Sequence, residues 1–207
     1  MKKLFLSAAA VLFGLGAFAQ TQPLGYGIKA GVNFPSYHIT NSDMSDFKST
    51  TNFHVTGFLD APLGGNFYLQ PGISLQGKGA KFVDTEDLEM TQNTMWLEVP
   101  VNAVAKLPTG ATGNFFVGAG PYVAFGLSGK NKVSGGDSSL EHDFKFGKDE
   151  DMKGVDFGLN FMAGYQLSSG LSLGAGYGLG LADIAPENDS DSKLTNRVFS
   201  ISLGFAL

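Results

Sequence analysis

The chain has 207 residues, with 14 Lys and Arg against 19 Asp and Glu, a formal net charge of −5, and no cysteine. The acidic balance argues against a nucleic-acid role, which needs a basic face. The lack of cysteine excludes disulfide support and a lipid anchor on cysteine.

At the amino end, Lys2 and Lys3 precede an apolar run from Leu4 to Phe18, which ends in Ala17-Phe18-Ala19 before Gln20. A basic start, a short apolar core and an A-x-A site make a secretory signal peptide. The run is shorter than the ~20 apolar residues a membrane helix needs. Cleavage is expected between Ala19 and Gln20, giving a signal peptide over 1–19 and one domain over 20–207. The export signal removes Lys2 and Lys3 and leaves 12 basic against 19 acidic residues.

Seven apolar-alternating segments follow, and an eighth ends the chain. Over 25–34, Tyr26, Ile28, Ala30, Val32 and Phe34 share one face, with Gly27, Lys29, Gly31 and Asn33 on the other. Over 53–62, Phe53, Val55, Leu59 and Ala61 oppose His54, Thr56, Phe58 and Asp60. The same split recurs over 67–82, 94–106, 115–127, 155–167 and 171–181. The terminal segment, Phe199 to Leu207, places Phe199, Ile201, Leu203, Phe205 and Leu207 on one face and only Ser, Gly and Ala on the other. Successive strand residues point to opposite faces, so each segment predicts a strand with one greasy side.

Connections after the second, fourth and sixth segments are short: 63–66, 107–113 and 168–170. Those after the first, third, fifth and seventh are long and polar: about 35–52, 83–93, 128–154 and 182–195. Short turns at one end and long loops at the other are the pattern of outer-membrane barrels. Strands of 9–11 residues suffice to span a bilayer. The expected fold is all-β, an eight-stranded antiparallel up-and-down transmembrane β-barrel. A soluble barrel would turn its greasy face inward, but this set is too bulky for the lumen of eight strands. The apolar terminal strand would aggregate as a free edge. It is expected to close the barrel and to be the segment that barrel-assembly machinery handles. Aromatics near both strand ends, such as Tyr26 and Tyr165 at one and Phe34 and Phe157 at the other, form two candidate girdles against outer-membrane lipid.

Four phrases carry a family resemblance. Leu69-Gln-Pro-Gly-Ile-Ser-Leu-Gln-Gly-Lys-Gly-Ala80 and Trp96-Leu-Glu-Val-Pro-Val101 resemble segments of the PorT-type, porin-like outer-membrane β-barrel family, as do Phe116-Val-Gly-Ala-Gly-Pro-Tyr122 and Asp156-Phe-Gly-Leu159. The resemblance spans essentially the whole mature chain. It implies an outer-membrane barrel and, through the founding type, a link to protein export. It departs at Gly72, where relatives often carry an inward glutamate.

No residue set selects an enzyme. His38 and His142 fall in long connections, His54 faces inward, and no serine sits in a G-x-S-x-G setting. No catalytic, cofactor or metal site is expected. The inward charges are the candidate site: Lys29, Lys78, Glu98 and Asp156, with Asp60 and Lys106. A hairpin centred near Leu88 brings Lys78 opposite Glu98. Side chains fill the interior of barrels this small, so a salt-bridge plug is the leading expectation, and a narrow conduit for water, ions or small solutes is the alternative. Acidic runs at 84–89, 148–151 and 187–191 are read as solvated loops. The connection over 128–154 is the natural docking surface for an extracellular or secretion-system partner, with Phe144 and Phe146 extending a hairpin there. The expected function is a non-enzymatic barrel with a structural or surface-binding role through its external loops. The alternatives are a narrow pore and an accessory of protein export.

Overall fold

The computed structural model describes residues 23–40, 47–85, 88–135, 138–147, 150–186 and 193–207. The signal peptide, its Ala19–Gln20 boundary and the acidic run 187–191 lie outside the described residues. Ten strands follow in order: β1 (Gly25–Thr40), β2 (Phe47–Lys48), β3 (Asn52–Gly64), β4 (Phe67–Thr85), β5 (Leu88–Pro108), β6 (Gly113–Gly135), β7 (Ser138–Phe144), β8 (Val155–Leu167), β9 (Leu171–Gly180) and β10 (Lys193–Ala206).

Eight of them close a ring. Each long strand pairs antiparallel with its neighbour in the order β1, β3, β4, β5, β6, β8, β9, β10, and β10 pairs back with β1 from Gly27↔Ala206 to Thr40↔Lys193. The fold is thus an eight-stranded up-and-down barrel. The terminal strand has no free edge, because β1 and β9 cover its two sides. Two short strands lie off the ring: β2 on β4, and β7 on β6.

Alternation decides which face meets lipid. Tyr26, Ile28, Val32 and Phe34 of β1 are exposed on the outer surface, as are Phe115, Val117 and Phe125 of β6 and Phe199, Ile201, Leu203 and Phe205 of β10. Such a band is what hydrocarbon requires, since closed strand pairing satisfies every backbone group within it. The inner wall carries small or polar residues, and β9 turns Gly174, Gly176 and Gly178 inward beside Ser172. At Gly120 a methyl would sit 2.0 Å from the Val101 carbonyl oxygen, so only a hydrogen fits there. The short turns need glycine for another reason: Gly65 and Gly170 adopt φ of 58° and 92°, open to glycine at no steric cost.

The long connections differ from the expectation. β1 runs on to Thr40 and β10 begins at Lys193, so these strands take in residues assigned to loops. Most of 83–93 and much of 128–154 are not irregular: β4, β5 and β6 are 19, 21 and 23 residues long, and β7 folds back on β6. At ~3.3 Å per residue, strands of this length outrun the bilayer by several residues. β4 through β7 therefore continue as a sheet beyond the membrane, on the side opposite the short turns. Polar side chains there read as loop in the sequence, because a strand with water on both faces carries no apolar alternation.

Candidate functional site

The interior is organised in three levels. At the middle level lies an ion triad. The Lys78 ammonium is 3.0 Å from Asp156 Oδ2 and 3.2 Å from Glu98 Oε2, with side-chain exposures of 2%, 0% and 4%. Asp156 Oδ2 also accepts hydrogen bonds from the Tyr122 hydroxyl at 3.1 Å and Asn196 Nδ2 at 2.8 Å. Glu98 Oε1 accepts one from Asn160 Nδ2 at 2.9 Å. The ammonium lies over the Tyr122 ring at 4.5 Å and the Trp96 ring at 5.6 Å. Buried charges persist only when paired and hydrogen-bonded in this way.

Lys78 and Glu98 meet as expected, but not as a directly opposed pair across the hairpin. The register pairs Lys78 with Thr94 and Glu98 with Ser74. The hairpin centres on residue 86 rather than Leu88, so Glu98 lies four residues beyond Lys78's direct partner Thr94, and the two meet only because both long side chains reach along the lumen to 3.2 Å. Lys29 is the exception in the predicted set. It faces the lumen from β1, opposite Gly204 and Thr56, and makes no ion pair with a described residue. Asp60 and Lys106, also expected inside, pair with each other near the short-turn end, where Gln70 donates to Asp60 at 3.0 Å and the Tyr68 ring lies 4.3 Å from the Lys106 ammonium.

Above the triad sits an apolar cap that sequence reasoning missed. Trp96, Tyr37, Tyr122, Met152, Ala182 and Ile184 form a buried cluster, with Phe82, Phe146 and Leu194 packed against it. Trp96 is anchored by its own indole N–H, which donates to Thr94 Oγ1 at 2.8 Å. Phe146 does not extend the outer hairpin as expected. It leaves β7 and meets Trp96 edge-on with centroids 4.9 Å apart. A register shift at Met95/Trp96 sets Trp96 against Gly126, and a methyl at Gly126 would lie 2.6 Å from the Phe146 ring. That glycine is the seat of the aromatic lid. Two connections are stitched together over it. Lys153 N–H donates to the Ile184 carbonyl at 3.1 Å, and the Lys153 ammonium lies 2.6 Å from Asp183. Burial raises the Asp183 carboxyl, but the Lys153 ammonium and the N–H groups of Leu194 and Ala185 outweigh it and hold it below the usual carboxylate range. The signal in the sequence was faint: isolated apolar residues, Met152 and Ile184, within polar stretches.

Below the triad lies a chamber of about 110 Å³. His54 Nδ1 is 2.7 Å from Asn33 Oδ1, and Asn33 Nδ2 donates to Gln76 at 2.8 Å, so the inward histidine is held in a structural network rather than beside a nucleophile. Lys106, Gln166 and Ala206 line both the chamber and a recess among the short turns. The chamber therefore opens toward the turn end and is closed, among the described residues, toward the loop end.

A model of the outer membrane protein β-barrel domain family matches residues 18–185. No curated protein matches the chain in sequence. The chain is similar to the solved structure of Ail, the attachment invasion locus protein of Yersinia pestis, at 12% identity over 88% of this chain and 98% of that one, with a TM-score of 0.46. It is similar to Neisserial surface protein A at 12% identity over 88% and 96%, with a TM-score of 0.44. The N-terminal barrel domain of Pseudomonas aeruginosa OprF is similar at 11% identity over 86% and 97%, with a TM-score of 0.33.

Proposed function

The chain belongs to the outer membrane protein β-barrel domain family, and from that premise we propose that it is a non-enzymatic, non-conducting surface protein that binds an extracellular partner through the sheet it raises above the membrane. The observation that carries this is the outermost strand. Among the described residues β7 pairs only with β6, along one edge, and Ser139, Leu140, Glu141, His142 and Asp143 are all exposed, Leu140 at 77%. A strand with one open edge, held clear of lipid, is a template for an added strand. Its register against β6 sets Glu141 opposite Lys132 and Asp143 opposite Lys130, so the hairpin is supported by opposite charges across the pair. The partner on this reading is an extended peptide segment, paired by backbone hydrogen bonds with Leu140 as the apolar contact.

The barrel below serves as a stalk, inserted by the assembly machinery through its terminal strand, Phe199 to Leu207, and seated in outer-membrane lipid. The triad and the cap over it speak against the pore alternative. The export-accessory role rests on the resemblance of Leu69–Ala80 and Trp96–Val101 to the PorT type; recovery of export components by affinity capture is what would favour it.

The test is panning of the refolded protein against a library of extended peptides, beside Leu140→Pro and a variant lacking residues 131–142. Peptides retained by the wild type and lost by both variants support the reading. Equal retention by all three would sink it.

A further inference from the structure

The chamber below the triad has the makings of a ligand site, independent of the outer sheet. Of the three lysines inside the barrel, Lys78 and Lys106 are paired with carboxylates, and Lys29 is not paired with any described residue. The triad holds two carboxylates for one ammonium. The chamber is thus polarised, positive at β1 and negative toward Glu98 on β5, although the inward charges, Lys29, Lys78 and Lys106 against Asp60, Glu98 and Asp156, sum to zero. Lys29 and Glu98 stand on walls three strands apart in a ring of eight. Asn102, two inward positions below Glu98 on β5, also lines the chamber; it is 4% exposed, and its side-chain oxygen has no hydrogen-bond partner. A buried acceptor left unmatched costs about 1–3 kcal/mol. An ammonium without an ion pair on one wall, attracted only at longer range by Glu98, and an unmatched acceptor on the other ask for a molecule that is an anion at one end and a donor at the other.

Size and access narrow the class. A volume of about 110 Å³ is several times the roughly 10–15 Å³ a single water requires. It is below the ~300 Å³ at which pockets for drug-sized molecules begin. Entry is from the short-turn end, past Lys106 and Gln166. A molecule with net charge would unbalance a low-dielectric interior, and uncompensated charge there is expensive. A zwitterion adds no net charge. Gly204 makes the room at the cationic wall, since a methyl there would lie 3.2 Å from Lys29 Cβ and 2.7 Å from Ser172 Oγ.

We propose that the chamber is a binding site, open toward the short turns, for a small zwitterionic amino acid, with its carboxylate on Lys29 and its ammonium on Asn102 Oδ1 and the Glu98 side of the triad.

The experiment uses the full mature chain refolded in detergent micelles and titrated with L-serine. Binding is read by calorimetry and by the amide resonances of Thr56 and Gly204, which flank Lys29. Acetate and ethanolamine serve as half-ligand probes. The expected result is a saturable isotherm reached at concentrations of order 10 mM or below, weakened about tenfold or more, ~1.4 kcal/mol, by Lys29→Gln and by Asn102→Leu. Each half-ligand is expected to bind less well than serine. Heat-modifiable gel mobility and Trp96 emission report whether each variant is folded. Because Lys29 holds no ion pair that its loss would break, Lys29→Gln is expected to fold. Should it not, Lys29→Arg, which keeps the charge, is expected to retain binding. An unsaturable titration, serine binding unchanged in Lys29→Gln, or acetate binding as tightly as serine would each overturn the assignment.

Discussion

The Lys78 ammonium and the Asp156 carboxylate lie 3.0 Å apart although 78 residues separate them in the chain. They come from β4 and β8, strands with β5 and β6 between them, so the contact spans the lumen rather than running along its wall. It joins the two halves of the ring and forms the floor on which the aromatic cap rests.

Removing the cation leaves Glu98 and Asp156 buried and unmatched. Breaking a buried pair from one side costs about 3–5 kcal/mol. Lys78→Met is therefore expected to lower the urea midpoint of the refolded barrel clearly. Glu98→Gln is expected to cost less, because Asp156 still serves Lys78 and the Gln amide can still accept from Asn160. Urea titrations followed by gel mobility check the order; equal losses would show that the triad is not anchored on Asp156.

Cap and triad together predict electrical silence. Single-channel recordings of the wild type and of Glu98→Gln are both expected to show no discrete openings, since the apolar cluster above the triad remains in each. Openings in the wild type, with a selectivity that shifts in Glu98→Gln, would restore the conduit alternative.

The lid itself has a built-in reporter. Trp96 is the chain's single tryptophan, and Phe146 covers it from above Gly126. Gly126→Val is expected to displace the Phe146 ring and to raise the quenching of Trp96 by acrylamide several-fold over the wild type. An unchanged quenching constant would mean that Phe146 does not close the mouth.

The clasp over the lid depends on pH in a definite direction. The folded state holds the Asp183 carboxyl below its ordinary value near 3.9. The stabilisation is thus complete above that value and is lost as pH falls through the lower folded value. Asp183 and Lys153 are each about a third exposed, so solvent screens the pair and its contribution to stability is modest. The amide protons of Ala185 and Leu194, which donate to Asp183 at 3.1 Å each, are expected to keep their shifts from neutral pH to about pH 4 and to move below it. Lys153→Met is expected to bring that midpoint up. A wild-type midpoint at or above the ordinary carboxylate value would remove the clasp.

Much of the barrel was legible because lipid imposes a two-residue rhythm. Tyr26, Ile28, Val32 and Phe34 must all face hydrocarbon, and their neighbours must then face in, which places Lys29 inside without any knowledge of its partners. The same rule assigned Lys78, Glu98, Asp60, Lys106 and Asp156 to the lumen. The rhythm stops where water begins. Residues 83–93 and 128–144 therefore read as loops, although backbone pairing carries most of them on as strands. Tyr37, Met152 and Ile184 carry no periodic signal, and the alternation of Phe146 with Phe144 points to a hairpin rather than to the cap that Phe146 joins.

By itself the sequence determined the class of fold, the number of membrane strands, the lipid-facing surface and the identity of the inward charges, because each follows from alternation along a single strand. The tertiary structure alone decided which charges meet. Ring closure and register put Lys78 within reach of Glu98 along the lumen and of Asp156 across it, and left Lys29 apart on another wall. It also decided that the outer mouth is capped and the turn end open, since both depend on residues distant in sequence packing in one small volume.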